Sequence, residues 1–135
     1  MRPSPVTPFL AGNWKMHGDL DAARRLAAET AKAFLSEQAG VRVAVFPPFV
    51  HLAAAAEVLK GSPVELGAQN CFWEAKGAFT GEVSPAQLKD AGCALVLVGH
   101  SERRHVMGET DDMVAKKLLS ALAAGLEPML CVGET

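Results

Sequence analysis

Val96-Leu97-Val98-Gly99-His100-Ser101-Glu102-Arg103-Arg104 sets an imidazole, a hydroxyl, a carboxylate and two guanidinium groups directly behind an apolar run. A buried strand ending there would present these groups at its carboxyl end. In parallel α/β sheets and barrels, that end is where ligands bind and chemistry occurs. His100 has the chemistry of a proton donor or acceptor. The amino end of a following helix disfavours a protonated ring, so the position predicts a neutral imidazole able to donate to a carbonyl. The alternative is a histidine satisfied within the core. A second candidate stands in Gly12-Asn13-Trp14-Lys15-Met16-His17. Lys15 behind an apolar run suits an anionic substrate or a developing oxyanion. Equally, it suits a lysine stem lying on apolar surface with its head in water. Glu102 is placed to pair with Lys15 or with an arginine, or to sit as a solvated helix charge. Arg103 and Arg104 read as structural ion-pair partners rather than a phosphate clamp.

Several chemistries are disfavoured. His100 and His105 stand five apart, so they miss the i, i+4 spacing of helical metal ligands. No GxSxG surrounds Ser101, so a hydrolase elbow is unsupported. Cys71, Cys93 and Cys131 form no CxxC, which argues against a zinc ribbon or a redox pair and for a reduced, cytoplasmic setting. The net charge is −2 and no Lys/Arg run exceeds two residues, so no nucleic-acid surface is indicated. No apolar run approaches the ~20 residues of a membrane span. Met1–Pro8 carries three prolines and reads as no secretory leader.

The elements that must position these groups alternate. Apolar runs at Phe9–Gly12, Val41–Phe46, Val64–Gln69, Cys93–Val98 and Pro128–Val132 read as strands. Their amino ends carry little polarity. Leu20, Ala23, Ala27, Ala31, Phe34 and Leu35 share one face of a helix over Asp19–Gln38, which Gly40 is placed to stop. Val50–Lys60 is a second helix. Ser84-Pro85-Ala86-Gln87 reads as a capping box with proline at the first helical position. His100–Val106 is a short helix, and Thr110 caps another that runs to about Ala124. Asn70–Val83 is a long connection with two phenylalanines and a tryptophan. This β-α repetition predicts one α/β domain over 1–135 with a parallel sheet. Polar groups gather at the strands' carboxyl ends: Asn13 and Lys15, Gln69 and Asn70, His100 and Glu102, then Glu134.

Taken together these motifs resemble the triosephosphate isomerase family. Ala11-Gly12-Asn13-Trp14-Lys15-Met16, Gly67-Ala68-Gln69-Asn70, Gly77-Ala78-Phe79-Thr80-Gly81-Glu82, Val98–Arg104 and Cys131-Val132-Gly133-Glu134 occur in the family's order and spacing. The resemblance implies a (β/α)8 barrel, here incomplete with five parallel strands and four helical layers. It implies interconversion of dihydroxyacetone phosphate and glyceraldehyde 3-phosphate through an enediolate, with no metal and no organic cofactor. By that resemblance Asn13 and Lys15 contact the phosphorylated triose, and His100, Lys15 and Glu102 form the catalytic group. A neutral histidine tuned by a helix amino end is an established pattern of that family rather than a result of this sequence. The resemblance also implies a homodimer, with Thr80 at the tip of a loop entering the partner. Arg103 would pair with Glu82 across that contact.

The chain departs from the family in length. A (β/α)8 barrel takes about 250 residues, against 135 here. Nothing matches the family's glutamate base after a sixth strand, its lid, or its later phosphate loops. The sequence is therefore expected to be the N-terminal portion of such a barrel, with strands one and five as open edges and no activity on its own. Two alternatives are a non-catalytic piece that assembles with a complementary chain, and a different phosphosugar enzyme on the same barrel. The joint presence of Asn13, Lys15, His100 and Glu102 argues against the last.

Overall fold

Strand and helix alternate as the apolar pattern requires. A computed structural model describes residues 6–34 and 40–133. The order is β1 (Phe9–Asn13), α1 (Leu20–Ala33), β2 (Arg42–Phe46), α2 (Leu52–Leu59), β3 (Glu65–Ala68), α3 (Pro85–Asp90), β4 (Leu95–Val98), α4 (Ser101–His105), α5 (Asp111–Ala123) and β5 (Glu127–Leu130). The five strands pair in parallel in chain order, so β1 and β5 are the edges.

The helix starts follow local chemistry. Asp19 accepts from the Ala22 amide at 2.8 Å and caps α1. Ser84 and Gln87 form the reciprocal capping box of α3, and Thr110 accepts from the Met113 amide to cap α5. Each cap satisfies an amide that the helix leaves without a partner. One helix end differs from expectation. The α1 helix stops at Ala33, because Phe34 leaves helical geometry at φ −119° and ψ 51°. The expected continuation through Leu35 to Gln38 lies outside the described residues, as does Glu134. Cys93 and Cys131 flank β4 and β5 rather than lying within them. Burial pushes the Cys71 and Cys93 thiols up to about 11 and about 12, which leaves them protonated and unreactive at neutral pH.

Register divides the side chains into two layers. Residues paired in register share a face, and successive residues alternate faces. Val45, Leu66, Ala68, Val96 and Val98 pack outward against Ala27, Leu52, Ala55 and Ala121 of the helices. Ala44, Phe46, Leu95 and Leu97 form the inner layer, flanked by Phe9, Met129 and Cys131. The Gly67 position belongs to this inner face. A Cβ there would lie 2.2 Å from Phe46 Cε1, so the Phe46 ring occupies the space a side chain would take. β4 is buried along its length, whereas the edge residues Leu10 and Leu130 are 53% and 45% exposed.

The amino ends of the strands are not bare, contrary to the sequence reading. Arg42 at the start of β2 donates to Glu65 of β3 and to Glu127 of β5. These residues lie on the inner face. In a flat sheet β2 and β5 would be about 14 Å apart, three strand spacings. One guanidinium reaches both because the sheet curls around its inner face.

Candidate active site

The site is built at the opposite, carboxyl rim. After β1, Lys15 takes a left-handed backbone at φ 54°, a conformation that costs a non-glycine residue about 1–3 kcal/mol. Two neighbours hold it there. The Lys15 amide donates to Asn13 Oδ1 at 2.9 Å, and the Lys15 carbonyl accepts from Gln69 Nε2 at 2.8 Å. The same Gln69 nitrogen donates to the Phe46 carbonyl at 2.8 Å, so one amide group joins the ends of β1, β2 and β3.

After β4 the chain turns at Gly99 with φ 71°. L side chains rarely adopt that φ, and a Cβ there would also press on Val114 Cγ1 at 3.0 Å, so this tight turn requires glycine. The turn delivers His100 to the N-cap of α4. His100 Nδ1 accepts from the Glu102 amide at 3.2 Å. A backbone amide only donates, so Nδ1 carries no proton in this arrangement, and the ring's proton sits on Nε2. Glu102 Oε1 lies 2.5 Å from Lys15 Nζ. That hydrogen bond holds the Glu102 carboxyl below its ordinary value, and the Lys15 charge acts in the same direction. Asn13, Lys15, Gln69, Asn70, His100 and Glu102 all line one cavity of about 300 Å³. A hollow of about 570 Å³ lies beneath the 71–83 loop, away from these groups.

Both arginines behind Glu102 stand in ion pairs, with partners that the sequence reading did not name. Arg103 donates to Glu109 at 2.8 Å and Arg104 to Asp111 at 2.6 Å. Arg103 thus has a partner within the chain. Thr80 and Glu82 sit exposed on the 71–83 loop, which Phe72 braces against Trp73 and Phe79 at 4.2 and 4.6 Å between ring centres.

Beneath the cavity lies a buried polar cluster that the sequence reading did not single out. Lys117 Nζ donates to Asn70 Oδ1 at 2.8 Å and to Glu109 Oε2 at 2.6 Å. The Lys117 and Glu109 side chains are 3% and 1% exposed. A signal was present: Val114, Lys117 and Ala121 share the buried face of α5. A lysine in an apolar stripe needs a buried partner.

The comparisons with known proteins agree with this geometry. The family model for triosephosphate isomerase matches residues 8–135. The chain belongs to the triosephosphate isomerase family. Among curated relatives, the triosephosphate isomerase of Pelobacter propionicus is 50% identical over 129 residues, covering 96% of this chain and 51% of the relative. That of Caldanaerobacter subterraneus is 52% identical over 128 residues, covering 95% and 51%. The crystal structure of triosephosphate isomerase from Bartonella henselae superposes with a TM-score of 0.85 at 37% identity, covering 96% of this chain and 53% of that one. The chain therefore spans about half the length of the family members it matches, and its curled sheet is an incomplete TIM barrel.

Proposed function

We propose that Asn13, Lys15, His100 and Glu102 are the triose phosphate-binding and acid–base cluster of a triosephosphate isomerase whose barrel is completed by further β-α units. The observation that supports this most is the meeting of Lys15 and Glu102 beside His100, three strands apart in the sheet, over one cavity.

The chemistry follows from the groups present. Lys15 offers a fixed positive charge to the substrate anion. The Asn13 carboxamide oxygen is committed to the Lys15 amide, which leaves its NH2 to donate to substrate. A base removes a proton from the carbon beside the carbonyl, and the electron pair moves onto the carbonyl oxygen. His100 Nε2–H donates to that oxygen and passes its proton there, then recovers one from the neighbouring hydroxyl while the base returns its proton to the adjacent carbon. An enediol(ate) is thereby carried from ketose to aldose with no net gain or loss of protons. Glu102 keeps Lys15 aimed and, through its amide, keeps the His100 proton on Nε2. The carbon base would come from outside residues 1–135, since no residue here matches the family's glutamate. The sequence of 135 residues alone is therefore expected to be inactive.

The same reading gives the 71–83 loop a homodimer contact, with Thr80 at its tip and Glu82 near Arg103 of a second copy, and a cytoplasmic place in glycolysis. The test is a chimera in which this chain replaces the first half of the Pelobacter propionicus relative. Turnover of glyceraldehyde 3-phosphate that is lost on His100→Gln supports the assignment. An assembled chimera that turns over equally well with Gln at that position contradicts it. Assembly without turnover in either form favours the reading as a non-catalytic barrel piece.

A further inference from the structure

The two rims of the sheet are stitched in the same way. At the carboxyl rim Lys15, after β1, reaches Glu102, after β4. At the amino rim Arg42, of β2, reaches Glu127, of β5. Each pair crosses three strand spacings over the concave face.

The amino-rim contact is the more extensive. Arg42 Nε and Nη2 donate to Glu65 at 2.9 and 3.0 Å, and Nη1 and Nη2 donate to Glu127 at 3.1 and 2.8 Å. Both carboxylates are gripped by two donors of one rigid planar fork, a geometry an ammonium cannot reproduce. The guanidinium also sits 5.0 Å over the Phe9 ring of β1. A single side chain therefore touches residues of β1, β3 and β5 from its seat on β2. The inner layer between the rims is close-packed, with Phe46 filling the space over Gly67. Such a layer transmits curl from one rim to the other rather than absorbing it.

We propose that Arg42 is a positioning residue: by tying β2, β3 and β5 at the amino rim, it sets the curl that brings Lys15 and Glu102 together at the carboxyl rim. This rests on the functional reading only in treating that pair as part of the substrate site. The pair itself is measurable without substrate, so failure here leaves the isomerase assignment standing, and the reverse also holds.

The experiment follows the Lys15 ammonium by nitrogen-detected or proton–nitrogen NMR on the 135-residue chain at about pH 6, where free carboxylates are ionised. Its resonance is assigned by its disappearance in Lys15→Arg. Pairing with Glu102 slows exchange of the ammonium protons with water. Arg42→Met, and Arg42→Lys with charge kept but fork lost, are expected to speed that exchange about threefold or more, the scale of an exposed ion pair. Val45→Ala, which weakens the outer layer without removing a member of either ion pair, is expected to leave it unchanged. If Arg42→Met fails to fold, Glu127→Ala releases β5 alone and is expected to speed the exchange in the same direction. Wild-type exchange rates in a folded Arg42→Met or Glu127→Ala protein would overturn the proposal, as would an equal acceleration in Val45→Ala.

Discussion

Lys15 Nζ lies 2.5 Å from Glu102 Oε1, although β2 and β3 stand between the strands that carry them. Chain distance does not predict this contact; the curl of the sheet produces it. The pair places a cation beside a histidine whose Nδ1 is already engaged, and that combination suits an anionic carbonyl substrate.

In a completed barrel, Lys15→Met is expected to weaken binding of a phosphorylated triose analogue by about 10- to 100-fold, the scale of a hydrogen bond to a charged group. Isothermal titration at low ionic strength measures it. Unaltered affinity would remove Lys15 from the binding site.

His100→Gln keeps a hydrogen-bond donor but cannot relay a proton. It is expected to lower kcat by about 10²- to 10⁴-fold, the usual span of acid–base catalysis, with a much smaller change in KM. Steady-state kinetics separates the two. A change confined to KM would make His100 a binding residue only.

Glu109 carries a pH dependence of stability. Burial raises its carboxyl, but hydrogen bonds from Lys117 and Arg103 outweigh this and hold it below the ordinary 4.5. The folded chain therefore binds fewer protons at this site than the unfolded chain does. Its stabilisation is full above 4.5 and is lost as pH falls below that value. Glu109→Gln leaves the Lys117 cation buried without its counter-charge and should cost roughly 3–5 kcal/mol at neutral pH. Urea titrations should show the gap to wild type narrowing in acid. A gap independent of pH would mean that the carboxylate charge contributes nothing.

Gly67→Ala would force a methyl group into the Phe46 ring and should destabilise by about 1–3 kcal/mol. Phe46→Leu in the same chain should recover part of that loss. Denaturant unfolding of the two single variants and the double variant reads the coupling. Strict additivity would show that the ring does not occupy that space.

Legibility from the sequence followed the range of the interaction. Ser84 with Gln87, Thr110 with Met113, and the glycine turn before His100 are local, and their residue types announced them. The strand runs did so within one or two residues, most clearly β4, whose burial on both faces leaves a continuous apolar signature. Asn13, Lys15, His100 and Glu102 were legible as a group because all stand at or just behind a strand's carboxyl end. The end of α1 was not, because the apolar spacing of Phe34 and Leu35 continues past the point where the backbone turns. Nor was the fork of Arg42 on Glu65 and Glu127, which needs the curl to bring separated strands within reach. The Glu109–Lys117–Asn70 cluster depends on which face α5 buries, and Lys117 alone hinted at it.

His100, held by its Nδ1 contact and flanked by Lys15 and Glu102, is proposed to relay protons in triose phosphate isomerisation. The most direct measurement is hydrogen exchange from solvent into dihydroxyacetone phosphate and glyceraldehyde 3-phosphate, catalysed by the Pelobacter propionicus chimera with and without His100→Gln. Rapid label incorporation and interconversion are expected of the parent chimera, with both falling by about 10²- to 10⁴-fold in the variant. Undiminished interconversion in the folded His100→Gln chimera would contradict it.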